Sequence, residues 1–383
     1  MMRVEIKPGL LRWACERAGY DPSALEDRFP QFAAWERGDK QPTLKQLEAF
    51  AKATHTPIGY LFLSEPPEER VPIPDFRTIA DEALRKPSPD LLDTLYLCQQ
   101  RQDWYREFLL LEGEKPLPFS GSARVGDDVI RVARHMREVL NFDLEERQAI
   151  PTWTEALRRF IEQADSVGVL VMVSGVVGSN NRRKLDPKEF RGLALADELA
   201  PLVFINGADT KAAQMFTLAH ELAHIWIGQS ALSDVEISLV PARKVERWCN
   251  HVAAQFLVPM KVIKEELVPQ VELRADLERL ARRFKVSTLV ILRRMYDAEA
   301  LNPEAYREVY AQELNRLREI AKGSGGDFYL TLGARVGKRF ARALVISTME
   351  GRSSFTEALR LLNFRKIPVC EDPGNHNEGV GAC

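Results

Sequence analysis

Apolar residues at three- and four-residue steps pick out residues 211–227, where Met215, Leu218, Leu222 and Ile225 form a stripe that predicts a helix. Thr210 or Asp209 stands where that helix needs a cap, and Gly228 where it must stop. Three apolar runs precede it, 167–174, 190–196 and 199–206, and predict the strands of a small sheet behind it. A second helix is predicted over 241–258, with Val245, Cys249, Val252 and Phe256 as its buried stripe. Pro241 suits its first turn and Pro259 stops it. Upstream, helical periodicity over 88–111, 126–140 and 152–164 predicts a helical connector. Downstream, 276–296 reads as helix, turn, helix, and 328–362, beyond the Gly323 to Gly326 break, as a last helical unit. The pattern as a whole is α+β and mostly helical.

The first of these helices carries His220, Glu221 and His224 in the order His-Glu-Leu-Ala-His. Helix positions i and i+4 share a face, with Cβ atoms about 5–6 Å apart. Two imidazoles so placed can hold one Zn²⁺ per chain, and Glu221 on the adjacent face can serve as a base toward water. Both histidines lie off the apolar stripe, which predicts that they face a groove rather than the core. A catalytic zinc takes a third protein ligand. Glu246 on the second helix is the leading candidate, with Asp234 and Glu236 in the connection, and His251, as alternatives. Asn250 lies one turn beyond Glu246 and can orient it.

The segments FTLAHELAHIWIG and VERWCNHVAAQFLVP together resemble the ImmA/IrrE family of bacterial zinc metallopeptidases. That family couples an AHELxH helix to a later helix of the form E-x-x-A-N-x-x-A-x-x-L-x-x-P. Glu246, Cys249, Asn250, Ala253, Phe256, Leu257 and Pro259 stand at the corresponding places, with Cys249 for the usual alanine. The segment LARRFKVS (280–287) resembles the end of the same domain. The resemblance covers roughly residues 150–300. It implies a zincin-like peptidase domain, His220, His224 and Glu246 as zinc ligands, and Glu221 as general base. It also implies a protein substrate, a DNA-bound repressor or similar partner, cleaved in stress or mobile-element regulation.

Residues 30–63 make a second match. Trp35, Glu36, Gly38, Pro42 and Thr43 resemble the segment that follows the recognition helix in XRE (Cro/C1-type) helix-turn-helix domains, which implies an N-terminal five-helix bundle. Leu44, Leu47, Phe50 and Ala51 are the expected core face of the next helix, closed by Leu61 and Phe62. The recognition helix is expected over 30–37, with Gln31, Arg37, Lys40 and Gln41 as candidate contacts to operator DNA. Affinity for DNA rests mostly on Lys and Arg against phosphate. Residues 1–70 hold ten Lys and Arg against eleven Asp and Glu, so the bundle is not basic, and a protein-docking role stands beside DNA binding.

At 383 residues and a net charge of −2, the chain has room for two or three domains and no bulk charge for nucleic acid. The expected order is a helix-turn-helix domain over 1–64, linker and connector over 65–150, and peptidase domain over 151–300. A helical unit over 301–365 and a disordered tail over 366–383 follow. Five scattered cysteines without a CxxC pair fit a reducing compartment, and Cys370, His376 and Cys383 are poorly spaced for zinc. The charged start and the lack of a long apolar run predict a cytoplasmic protein with no membrane association. An extended substrate is expected to pair with an edge strand such as 190–196. The rival reading is a transcriptional regulator or an antitoxin of a cognate toxin, with a structural or vestigial zinc site.

Overall fold

The computed structural model describes residues 3–21, 25–76, 86–233, 243–267, 272–321 and 331–364. Pro241, Asp234, Glu236, the Gly323 to Gly326 break and the tail with Cys370, His376 and Cys383 lie outside them.

The fold is α+β and mostly helical, around one small mixed sheet. Strand β1 (Leu170–Ser174) runs parallel to β5 (Leu202–Asn206), with Leu170 opposite Leu202. Strand β4 (Gly192–Leu195) is antiparallel to β5, and β6 (Ala231–Ser233) is antiparallel to β4, so the order is β1-β5-β4-β6. A separate hairpin joins β2 (Val176–Val177) to β3 (Asn180–Lys184). The expected strand 190–196 is therefore not an edge. Strand β4 is paired on both sides, and β6 is the outer strand.

Helices cover both faces of the main sheet, which is why its strands read as continuous apolar runs rather than alternating ones. On one face Val171, Ala194, Val203 and Ile205 join the core of the helices that carry the site. These are α7 (Trp153–Ser166), α8 (Lys211–Trp226), α9 (Lys244–Leu257), α11 (Leu273–Phe284) and α12 (Thr288–Asp297), with α5 (Val129–Leu140) behind them. On the other face Leu170, Met172, Leu193, Leu202 and Phe204 meet Leu91, Leu95 and Tyr105 of α4 (Pro89–Leu111). The same face takes Val336 of α14 (Thr331–Val336), Phe340 and Leu344 of α15 (Lys338–Met349), and Leu361 of α16 (Phe355–Leu362). Segments expected to be a connector and a separate C-terminal unit thus share a core with the sheet. Arg101 of α4 ties them together by donating to the Leu361 carbonyl at 2.9 Å and the Arg335 carbonyl at 3.1 Å. Burial pulls this guanidinium down to about 10.

Caps set the helix starts. Ser88, Asp128, Thr152 and Thr210 each accept from a backbone N–H of the first turn, which moves three expected starts inward by one to three residues. Three arginines close the other end of α9. Arg137 donates to the Gln255 and Phe256 carbonyls at 2.9 and 3.2 Å, Arg147 to Leu257, and Arg294 to Val258 at 2.9 Å. Cations on the last carbonyls oppose the negative end of the helix dipole. Arg294 is thus buried, while Arg282 and Arg283 pair with Glu278 and Glu266. The C-terminal cations are also engaged, Lys338 with Glu162 and Arg339 with the Asp165 and Ser166 carbonyls.

The N-terminal bundle has its own core. It comprises α1 (Pro8–Arg17), α2 (Phe32–Glu36), α3 (Leu44–Ala53) and a 3₁₀ turn over Ile58–Phe62. Thr43 and Gln46 form a reciprocal capping box at the start of α3. Leu47, Phe50, Ala51 and Leu61 are buried as expected, but Leu44 and Phe62 are exposed, at 39% and 50%. The expected recognition helix is short, because Phe32 and Trp35 turn into the core. Gln31, Arg37 and Lys40 are exposed. Gln41 is half-buried, and its side-chain oxygen accepts from the Ile6 N–H at 3.0 Å. Helix α13 (Pro303–Ala321) falls in the helical unit expected over 301–365, whereas α6 (Leu144–Ala149), α10 (Met260–Glu266), β6 and the β2–β3 hairpin were not legible from periodicity. No described helix is long and apolar enough to cross a membrane.

Candidate metal centre

Helix α8 is buried on every side from Gln214 to Trp226, lying between the sheet and α9. The expected groove is therefore an interior seam. His220 and His224 are fully buried because their face meets α9 rather than water, and Glu221 is fully buried against Gly192 of β4. Gly228, at φ +66°, ends this stretch in the left-handed region that glycine adopts without penalty.

Three side chains from two helices meet there. His220 Nε2 lies 3.1 Å from Glu246 Oε2, His224 Nε2 lies 3.0 Å from Glu246 Oε1, and the two Nε2 atoms are 3.1 Å apart. All three donor atoms fall within 4.8 Å of one another. Donors around a tetrahedral zinc with bonds of about 2.0–2.1 Å sit roughly 3.3 Å apart. The cluster has that size and the two-imidazole, one-carboxylate composition of catalytic zinc sites. His251 lies on the exposed side of α9, away from it.

The electrostatics follow from burial and pairing. Burial works against a charged His220, but Glu246 outweighs it and holds the imidazole above its usual value. Burial would raise Glu246, yet His220 and His224 keep it well below the usual carboxylate range. Burial lowers His224. Asn250 touches the cluster through His220, not through Glu246 as its spacing suggested. The His220 Nδ1–H donates to Asn250 Oδ1 at 2.9 Å, which leaves Nε2 as the free lone pair. Asn250→Ala is expected to weaken zinc binding roughly 10–100-fold while leaving the fold intact, as read by competition with a chromogenic chelator.

Glu221 stands apart from these three. Its carboxylate oxygens are buried and make no ordinary hydrogen bond among the described residues. Burial pushes it up to about 8, against the opposing pull of His220 and, more weakly, of the Ser233 hydroxyl of β6. The room it occupies exists because Gly192 of β4 has no side chain. A Cβ there would lie 2.6 Å from Thr217 Cγ2 and 2.8 Å from Glu221 Oε1. Gly192→Ala is expected to cost about 1–3 kcal/mol of stability by overpacking. Displacing the carboxylate should also slow hydrolysis roughly 10–100-fold with zinc still bound; melting curves and steady-state rates check both parts.

Sequence reasoning missed Gly192, and also Phe76 and Arg243. The Phe76 ring stacks on His224 with centroids 5.9 Å apart, and the Arg243 guanidinium lies 5.1 Å from the Phe76 centroid. The signal available for Phe76 was an aromatic residue directly after a proline-rich linker. Cys249 is buried between the helices, and burial raises its thiol well above its usual value, so it packs as the small residue it replaces.

Residues 164–296 match the Peptidase_M78 family, described as an IrrE N-terminal-like domain, and residues 336–368 match a domain of unknown function, DUF8813. The first match supports the ImmA/IrrE resemblance and a metallopeptidase of that type, over the stretch that contains the cluster. Both matches begin beyond the N-terminal bundle, so its likeness to helix-turn-helix domains rests on its own residues. No curated protein matches the chain.

Proposed function

We propose that the chain is a zinc-dependent endopeptidase of the IrrE/ImmA type that cleaves a repressor-like regulatory protein. In this reading His220, His224 and Glu246 hold the metal and Glu221 is the general base. The observation that carries it is a buried carboxylate with no close hydrogen bond among the described residues, beside a His-His-Glu cluster of zinc dimensions. A buried acid without a close hydrogen bond is costly and serves no purpose beside a purely structural metal, which supports catalysis over the vestigial-site reading.

Bound zinc would polarise the scissile carbonyl and make water a stronger acid. The residues do the rest. Asn250 fixes the His220 tautomer, and the pairing of Glu246 with both imidazoles keeps the donors converged. Glu221 takes the proton from the attacking water and passes it to the leaving amine, a task suited to a group whose proton affinity burial has raised. Gln31, Arg37 and Lys40, exposed around α2, support operator DNA as a ligand of the N-terminal bundle. Loss of a gel shift on triple alanine substitution there tests that part.

The activity is tested by incubating zinc-loaded protein with purified helix-turn-helix repressors and mapping new N-termini by mass spectrometry. Specific cleavage, abolished by chelation and restored by zinc, is expected. Repressors left intact, together with neutralisation of a toxin that survives Glu221→Gln, would favour the antitoxin reading.

A further inference from the structure

The outer edge of β6 offers main-chain groups, and the chain itself uses them. Residues 64–76 leave the N-terminal bundle, where Glu69 pairs with Arg17 of α1, and run to the sheet. There the Phe76 N–H donates to the Leu232 carbonyl at 2.9 Å, and the Leu232 N–H donates to the Pro74 carbonyl at 3.0 Å. The result is a parallel bridge between Asp75 and Leu232. Beyond it the Phe76 ring lies against His224, one of the three metal-site residues. Arg243 also borders the slot, its guanidinium over the Phe76 ring and Nη1 donating to the Asp75 carbonyl at 2.7 Å.

A strand edge is a template for an added strand, with main-chain bonds giving affinity and side-chain slots giving specificity. Residues 71–76 make such an addition in minimal form. Pro72 and Pro74 have no N–H, so the pairing stops at a single bridge and stays displaceable.

We propose that residues 71–76 stand in for substrate on the β6 edge, and that the cleaved partner is an extended peptide whose aromatic side chain replaces Phe76 between His224 and Arg243. The substrate part rests on the metallopeptidase reading of the same site. The tether holds the segment at an effective concentration near millimolar, so the resting protein competes with its own substrate.

The test uses the full-length, zinc-loaded chain, Phe76→Ala, and Arg243→Ala, which loosens the segment's hold on the slot while leaving the linker's own sequence unchanged. The probes are fluorescein-labelled RVPIPDF, the sequence of residues 70–76, and RVPIPDA. RVPIPDF is expected to bind Phe76→Ala at least about threefold more tightly than the unmodified chain, and RVPIPDA to bind neither comparably. Hydrogen exchange at the Leu232 amide should quicken in both variants. Equal binding to both chains, no binding up to millimolar peptide, or unchanged Leu232 exchange would overturn the proposal. Zinc content and hydrolysis are measured on the same samples. Peptide docking without zinc or hydrolysis counts against the peptidase reading alone, and hydrolysis without docking counts against this inference alone.

Discussion

Glu221→Gln is expected to leave zinc in place and remove at least about 10³-fold of hydrolysis, within the range that a positioned general base contributes. The substitution is nearly isosteric and touches none of the three converging donors. It exchanges a buried acid without a close hydrogen bond among the described residues for a neutral amide, so the melting temperature should hold or rise. The pair of readouts matters. An inactive variant that has also lost zinc would mean that the site collapsed. A variant that keeps zinc and retains hydrolysis within tenfold would take the base role away from Glu221.

Glu246→Ala is expected to weaken zinc binding by on the order of 10³-fold or more, because two neutral imidazoles remain where three ligands converged. Glu246 bridges both histidines, so its loss also removes what keeps the His220 imidazole above its usual pKa. The same experiment separates Glu246 from the acids weighed beside it. If Asp234 or Glu236 is the third ligand, Glu246→Ala keeps its zinc and alanine at one of those positions loses it. Chelator competition on the four chains reads the answer.

How much was legible follows from the range of the forces involved. The two site helices were readable because helical periodicity is local, and because i, i+4 spacing fixes which side chains share a face. The strands could be located but not ordered. Their burial on both faces erased the alternation that would have told inside from outside. So 190–196 was expected at an edge, while the strand that lies outside it, three residues long, carried no pattern of its own. Side-chain partners were not legible either. Arg294 caps α9 and Gln41 accepts from the Ile6 N–H, since a long polar side chain's partner is set by tertiary approach. Gly192 matters only through what it leaves empty beside Glu221, which no spacing rule reports.

The central claim is a metal held by His220, His224 and Glu246, and metal analysis by mass spectrometry tests it most directly. Purified protein is measured beside His220→Ala, before and after zinc is added back. About one zinc ion per chain, lost in the variant, is the predicted result. No metal in either protein, even after zinc is supplied, would contradict the account.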